Sequence, residues 1–221
     1  LDVISDDCYP DPADPDSPYL AAMTRDLMRS LADGKPWLLM EQSVGAVNWR
    51  ASNATKPEGM MRAWSYQALA RGANGVLYFQ WRQSDRGAER FHSAMLPHSG
   101  TDSLSWKAVC ELGGELREIG DALDAPAHGS VGVMLDWDSW WSIEQAGLPS
   151  TIDYLEGVRA WYRTLYDAGV SIDFVNPHSD LGRYRAIVVP TLFVATDSAL
   201  ASLEIYAKGG GRLLVTYQSG I

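Results

Sequence analysis

The chain has 221 residues, 46% hydrophobic and 21% charged, the composition of an ordinary globular protein with one large or two modest domains. Its formal net charge of −10 argues against a nucleic-acid backbone or an anionic membrane surface as partner. Cys8 and Cys110 have no CxxC spacing, no apolar run approaches membrane-spanning length and no signal-peptide pattern opens the chain, so reduced thiols in a cytoplasmic setting are expected.

Leu1 to Ile4 predicts a short strand running into Asp6 and Asp7. The next loop holds Pro10, Pro12, Pro15 and Pro18, which disfavour regular structure. A helix is expected from about Tyr19, with Leu20, Met23, Leu27 and Leu31 on its buried face and Gly34 as its stop. Pro36 to Glu41 follows as a buried strand that ends in an acid. Its loop carries Gln42, Asn48 and Trp49. Pro57 opens the next expected helix, with Met61, Trp64 and Ala68 on one face and Gly72 as its end. Gly75 to Trp81 predicts a second buried strand with Gln80 and Arg82 at its end. A long loop, Gln83 to Asp102, contains Glu89, His92 and His98. Loops of that length in compact domains are usually functional. Ser103 caps a helix bearing Val109, Leu112, Leu116, Ile119 and Leu123.

Strand alternates with helix through this part, and the strands end in polar residues, the βα repeat of a parallel sheet or barrel. Three repeats do not close an eight-stranded barrel. The missing units are expected upstream of Leu1, and both termini read as cuts through a longer polypeptide. Residues 124–130 form a Pro/Gly-bearing linker between a domain spanning 1–123 and a second spanning 131–221. In the second, Val131 to Leu135 predicts a strand and Asp136 to Glu144 a polar-aromatic loop. Ser150 and Asp153 match a capping signature ahead of a helix with Leu155, Val158, Tyr162 and Leu165 buried, ended by Gly169. Strands are expected at Ile172 to Val175, Ala186 to Val189 and Arg212 to Tyr217, with a helix at Ser198 to Lys208. This reads as half of an open, doubly wound, flavodoxin-like sheet.

Glycosidic bonds are broken by two carboxyl groups flanking the anomeric carbon, and Glu41 at a strand end is placed to be one of them. Glu89 and His92, three apart, can reach the same side and grip vicinal hydroxyls. Each pattern alone also fits an ordinary solvated side chain. His92 and His98 have no third ligand at short spacing, so no metal is expected.

The segments LLMEQSVGAVNW, MRAWSYQALARGANGVLYFQWR and GAERFHSAMLPHSG resemble the C-terminal third of the catalytic barrel of glycoside hydrolase family 42 β-galactosidases. The resemblance runs from Leu1 to about Leu123, and the remainder is similar to the start of that family's trimerisation domain. It implies C-terminal βα units of a TIM (β/α)8 barrel followed by part of a class I glutamine amidotransferase-like domain. It also implies a homotrimer that takes a galactoside, with no cofactor and any structural zinc bound upstream. It implies Glu41 as catalytic nucleophile, Trp49 lining the sugar site, Glu89 and His92 holding galactose hydroxyls, and Phe79 walling the pocket. The family's acid/base follows an Asn, and no Asn-Glu pair occurs here, so the segment carries the nucleophile half of the site. The amidotransferase nucleophile is missing too: no Cys lies between Ser130 and Ile221. That domain therefore reads as an assembly module, with Trp137, Trp140 and Trp141 at an interface. The expected activity is retaining hydrolysis of terminal β-D-galactose. The alternatives are a retaining α-L-arabinopyranosidase on the same fold and a non-catalytic sugar-binding or assembly protein.

Overall fold

The computed structural model describes residues 2–120, 126–148 and 151–220, which fall into two compact units divided between Ala127 and His128. The expected roles of Leu123 in a helix stripe and Ser150 in a cap lie outside the described residues.

The first unit has strands β1 (Ser5–Asp7), β2 (Trp37–Glu41) and β3 (Ala73–Val76), all parallel in the order β1-β2-β3, and helices α1 (Ser17–Leu31), α2 (Met60–Ala70) and α3 (Leu104–Ile119). Trp37 and Leu39 alternate on the face of β2 that packs under the helices. They form a core with Ala32, Ala68, Leu69 and Ala73. The Trp37 indole donates to the Arg71 carbonyl at 3.1 Å, so this wholly buried ring leaves no polar atom unpaired. Ser103 caps α3 as expected, accepting from the Trp106 amide at 3.3 Å.

Several elements depart from the sequence reading. β1 begins after Ile4, because its ladder is set by β2: Ser5 pairs with Leu38 and Asp6 with Leu39, while the Cys8 amide donates to the Glu41 carbonyl at 2.9 Å. α1 does not bury the leucine stripe. Leu31 is 54% exposed, whereas Ala21, Ala22, Arg25, Asp26 and Arg29 are buried. Partners from α2 make this possible: Arg25 donates to Gln67, and Asp26 accepts from Arg71 while pairing with Arg29 at 2.6 Å. Such charges stay buried only because each finds a partner. α2 starts three residues after Pro57, behind Gly59 at φ 81°. β3 is shorter than Gly75 to Trp81. Beyond Val76 the chain keeps contact with the β2 segment through Leu77 N–H to Leu39 O (2.9 Å) and Phe79 N–H to Gln42 O (3.1 Å), and Trp81 is 61% exposed. The Phe79–Gln80 peptide is cis.

The second unit has strands β4 (Val131–Met134), β5 (Ile172–Val175), β6 (Ala186–Val189) and β7 (Arg212–Val215), all parallel in the order β5-β4-β6-β7. Its helices are α4 (Trp137–Ile143), α5 (Tyr154–Asp167) and α6 (Asp197–Lys208). Met134, Val175, Ile187 and Val189 pack with Leu203 and Tyr206 in its core. The segment read as a loop from Asp136 to Glu144 is helix α4. Asp136 caps it by accepting from the Ser139 amide at 2.8 Å, and Trp140 stacks on Tyr154 with centroids 6.2 Å apart. Trp137 and Trp141 are 43% and 58% exposed. Among the described residues, no helix is long and apolar enough to cross a membrane.

Candidate active site

The site lies within the first unit, at the carboxyl ends of its parallel strands, where α/β folds present functional groups. Glu41 is the last residue of β2. The Tyr9 hydroxyl, just past β1, donates to Glu41 Oε2 at 2.6 Å. This is a short charge-assisted bond that fixes one carboxylate oxygen. Burial, and then the bond to Glu41, hold the Tyr9 phenol proton well above the usual range, so Tyr9 stays the donor. Asp7 pairs with Glu41 in the ladder, and its own carboxyl is shifted up by burial and then by Glu41.

An aromatic wall gathers around His92. Its ring meets Phe79 edge-on at 4.8 Å, Trp49 at 5.4 Å and Tyr9 at 5.9 Å, and Tyr9 meets Trp49 at 4.9 Å. His92 is fully buried. Its Nδ1 lies 2.8 Å from the Ser93 carbonyl, which accepts, so Nδ1 carries the proton. Nε2 is therefore an acceptor in the neutral ring, and it finds no partner among the described residues. Glu89, on a 3-10 turn (Ala88–Phe91), likewise has its buried Oε2 without a partner. Glu89 is close enough to help raise the Tyr9 phenol. Buried polar atoms are nearly always hydrogen-bonded, so two unpaired acceptors beside one aromatic wall mark a place for donors such as sugar hydroxyls.

Two loops are clamped to bring these groups together. The Gly45 amide donates to Ser93 Oγ at 2.8 Å, and the Ser93 amide donates to the Ala46 carbonyl at 2.9 Å. The approach is close: a Cβ at Gly45 would meet Ser93 Cβ at 3.3 Å. The loop after β2, with Trp49, is thus fastened to the segment carrying His92. Glu41, Trp49, Phe79, Glu89 and His92, separated by up to 51 positions in the chain, converge in one place.

Two family models match the chain. Residues 1–119 match the family 42 glycoside hydrolase model described as β-galactosidase, and residues 129–221 match the β-galactosidase trimerisation domain. The chain belongs to glycoside hydrolase family 42. A β-galactosidase of Arthrobacter sp. is 42% identical over 222 residues, covering 100% of this chain and 32% of its own length. The bgaB β-galactosidase of Geobacillus kaustophilus is 40% identical over 223 residues, covering 100% of this chain and 33% of its own length. The crystal structure of the β-galactosidase from Bacillus circulans sp. alkalophilus superposes with a TM-score of 0.93 at 36% identity, over 100% of this chain and 33% of that one. The chain thus spans about a third of the length of the curated relatives it matches. The family places the βα units of the first unit in an α/β fold that contains a TIM barrel.

Two residues beside this candidate site had no signal in the sequence reading. Tyr9 sits in a proline-rich loop and meets Glu41 across 32 positions, so no local spacing announces it. Lys56 reads as a loop lysine, yet its ammonium bonds the Ser43 carbonyl and Ser43 Oγ (3.0 Å) and lies 5.0 Å over the Trp64 ring. Burial, with Arg50 nearby, lowers its pKa to about 7. Lys56 closes the loop 43–56 that follows Glu41 in the chain. His98 stands apart from the wall, exposed, with Nε2 3.1 Å from the Ser84 carbonyl.

Proposed function

We propose that this chain supplies the nucleophile half of a retaining β-galactosidase. Glu41 attacks the anomeric carbon and forms a galactosyl-enzyme. A second carboxyl, from a part of the whole protein outside residues 1–221, protonates the leaving oxygen and then activates water. Retaining sites hold the two carboxyls roughly 5 Å apart. Tyr9 keeps one oxygen of Glu41 occupied, which aims the other at the sugar. Glu89 and His92 accept from galactose hydroxyls, with Trp49 and Phe79 walling the ring. The chemistry requires no cofactor. The observation that carries this reading is the pair of unpartnered buried acceptors, Glu89 Oε2 and His92 Nε2, beside the Tyr9–Glu41 hydrogen bond. Its support from relatives is that the proteins matched are named β-galactosidases.

The second unit, with strand order β5-β4-β6-β7, is read as the start of a doubly wound, amidotransferase-like domain that acts in assembly. The match to a trimerisation domain and the exposed Trp137 and Trp141 support a homotrimer. Residues 124–130 are taken as the linker between the two domains.

A 2-fluoro-galactoside with a good leaving group tests the catalytic reading. In the full-length enzyme the label should fall on Glu41. A label on Glu89, or on a carboxylate outside this chain, would overturn the assignment.

A further inference from the structure

The turn that carries Glu89 and leads into His92 is one short 3-10 segment, Ala88–Phe91. At its ends, Arg90 N–H reaches Gly87 O at 3.5 Å and His92 N–H reaches Glu89 O at 3.0 Å. Short 3-10 segments have strained hydrogen-bond geometry and need outside support. Here three consecutive carbonyls each receive a side-chain amide. Asn48 Nδ2 donates to Ala88 O at 3.1 Å, Gln80 Nε2 to Glu89 O at 3.3 Å and Gln83 Nε2 to Arg90 O at 3.3 Å.

Two of the three amides are themselves oriented. Gln83 Oε1 accepts from the His98 backbone amide at 3.1 Å, so its NH2 end must be the one facing Arg90. Gln80 Oε1 accepts from Ser84 Oγ at 3.0 Å, and the Gln80 carbonyl accepts from the Met95 amide at 2.8 Å. Asn48 comes from the loop after β2, the other two from the segment after β3, so the turn is held by two loops. The donors are neutral.

We propose that Asn48, Gln80 and Gln83 are positioning residues that cradle the Ala88–Phe91 turn and, through Glu89 and His92, set the site's affinity for the sugar ring. The second clause rests on the galactoside reading of the site; the first rests on geometry alone.

The test uses the full-length enzyme. Asn48→Asp, Gln80→Glu and Gln83→Glu keep the shape but replace each donor by an oxygen that repels a carbonyl. Asn48→Leu, Gln80→Met and Gln83→Met remove the donor without adding charge. Amide hydrogen exchange over residues 87–92 and galactose binding are measured for each, with the thermal midpoint as control. The expected result is faster exchange in that segment and galactose binding weakened about tenfold per amide, with KM affected more than kcat. In a Glu89→Ala, His92→Ala double background the same substitutions should weaken galactose binding far less, because the cradle acts through those two residues. Unchanged exchange in both variant sets would overturn the cradle. Weakened binding that persists undiminished in that double background would overturn the link from the cradle to the sugar site. If Glu89→Ala and His92→Ala themselves leave galactose affinity unchanged, the sugar-site reading falls, and the exchange data still decide the cradle.

Discussion

The Tyr9 hydroxyl donates to Glu41 Oε2 at 2.6 Å, joining the loop after β1 to the last residue of β2. Removing this donor is expected to leave the fold intact and loosen the carboxylate. Hydrogen bonds to charged groups are worth about 1.5–3 kcal/mol, so Tyr9→Phe should lower kcat/KM by about 10- to 100-fold. Steady-state kinetics of the full-length variant, with an unchanged thermal midpoint, checks it.

If Glu41 is the nucleophile, Glu41→Ala abolishes turnover, because the covalent path itself is lost. Glu41→Gly opens a space for a small external anion. Azide should restore part of the activity and give the α-galactosyl azide, readable by NMR. A β-configured product would contradict attack from the Glu41 side.

Lys56 supplies a pH signature. Its folded pKa is lowered to about 7 from 10.5, chiefly by burial. Between those two values the unfolded chain binds the proton and the folded chain does not. This group therefore makes stability rise with pH across that window, and it imposes its full penalty below about 7. Lys56→Met removes the titration. Its stability, followed by denaturant midpoint from pH 6.5 to 10, should climb less steeply than that of the parent. Parallel slopes would show that Lys56 does not titrate there.

Glycines in the second unit separate close approach from mere permissiveness. A Cβ at Gly129 would lie 2.5 Å from both Asp173 N and Ile172 C, backbone atoms that cannot swing aside. Gly129→Ala should destabilise by about 1–3 kcal/mol through overpacking. Gly157, inside α5, has nothing within 4 Å of its virtual Cβ. Gly157→Ala should stabilise by about 0.5–1 kcal/mol through helix propensity. Thermal midpoints of the two variants should move in opposite directions.

Elements whose signal is local could be read from the residues alone. β5 and β6 fall where strands were expected, at Ile172–Val175 and Ala186–Val189, the latter an apolar, β-branched run. Ser103 caps a helix because a short polar side chain there reaches an amide within the next turn. Glu41, Trp49, Glu89 and His92 were legible as polar and aromatic residues at or after strand ends, and Phe79 through the motifs resembling a family. Tertiary structure decided what depends on a partner from elsewhere in the chain. Leucine periodicity pointed to the wrong face of α1, because Arg25 and Asp26 become buriable only when α2 brings Gln67 and Arg71 opposite them. The Asp136 to Glu144 stretch became a helix when a cap and the Tyr154 ring held it. Tyr9 and Lys56 joined the site for the same reason. Each forms its hydrogen bond across a loop, and a hydrogen bond exists only where the fold sets donor and acceptor within about 3 Å, a distance that no residue spacing encodes.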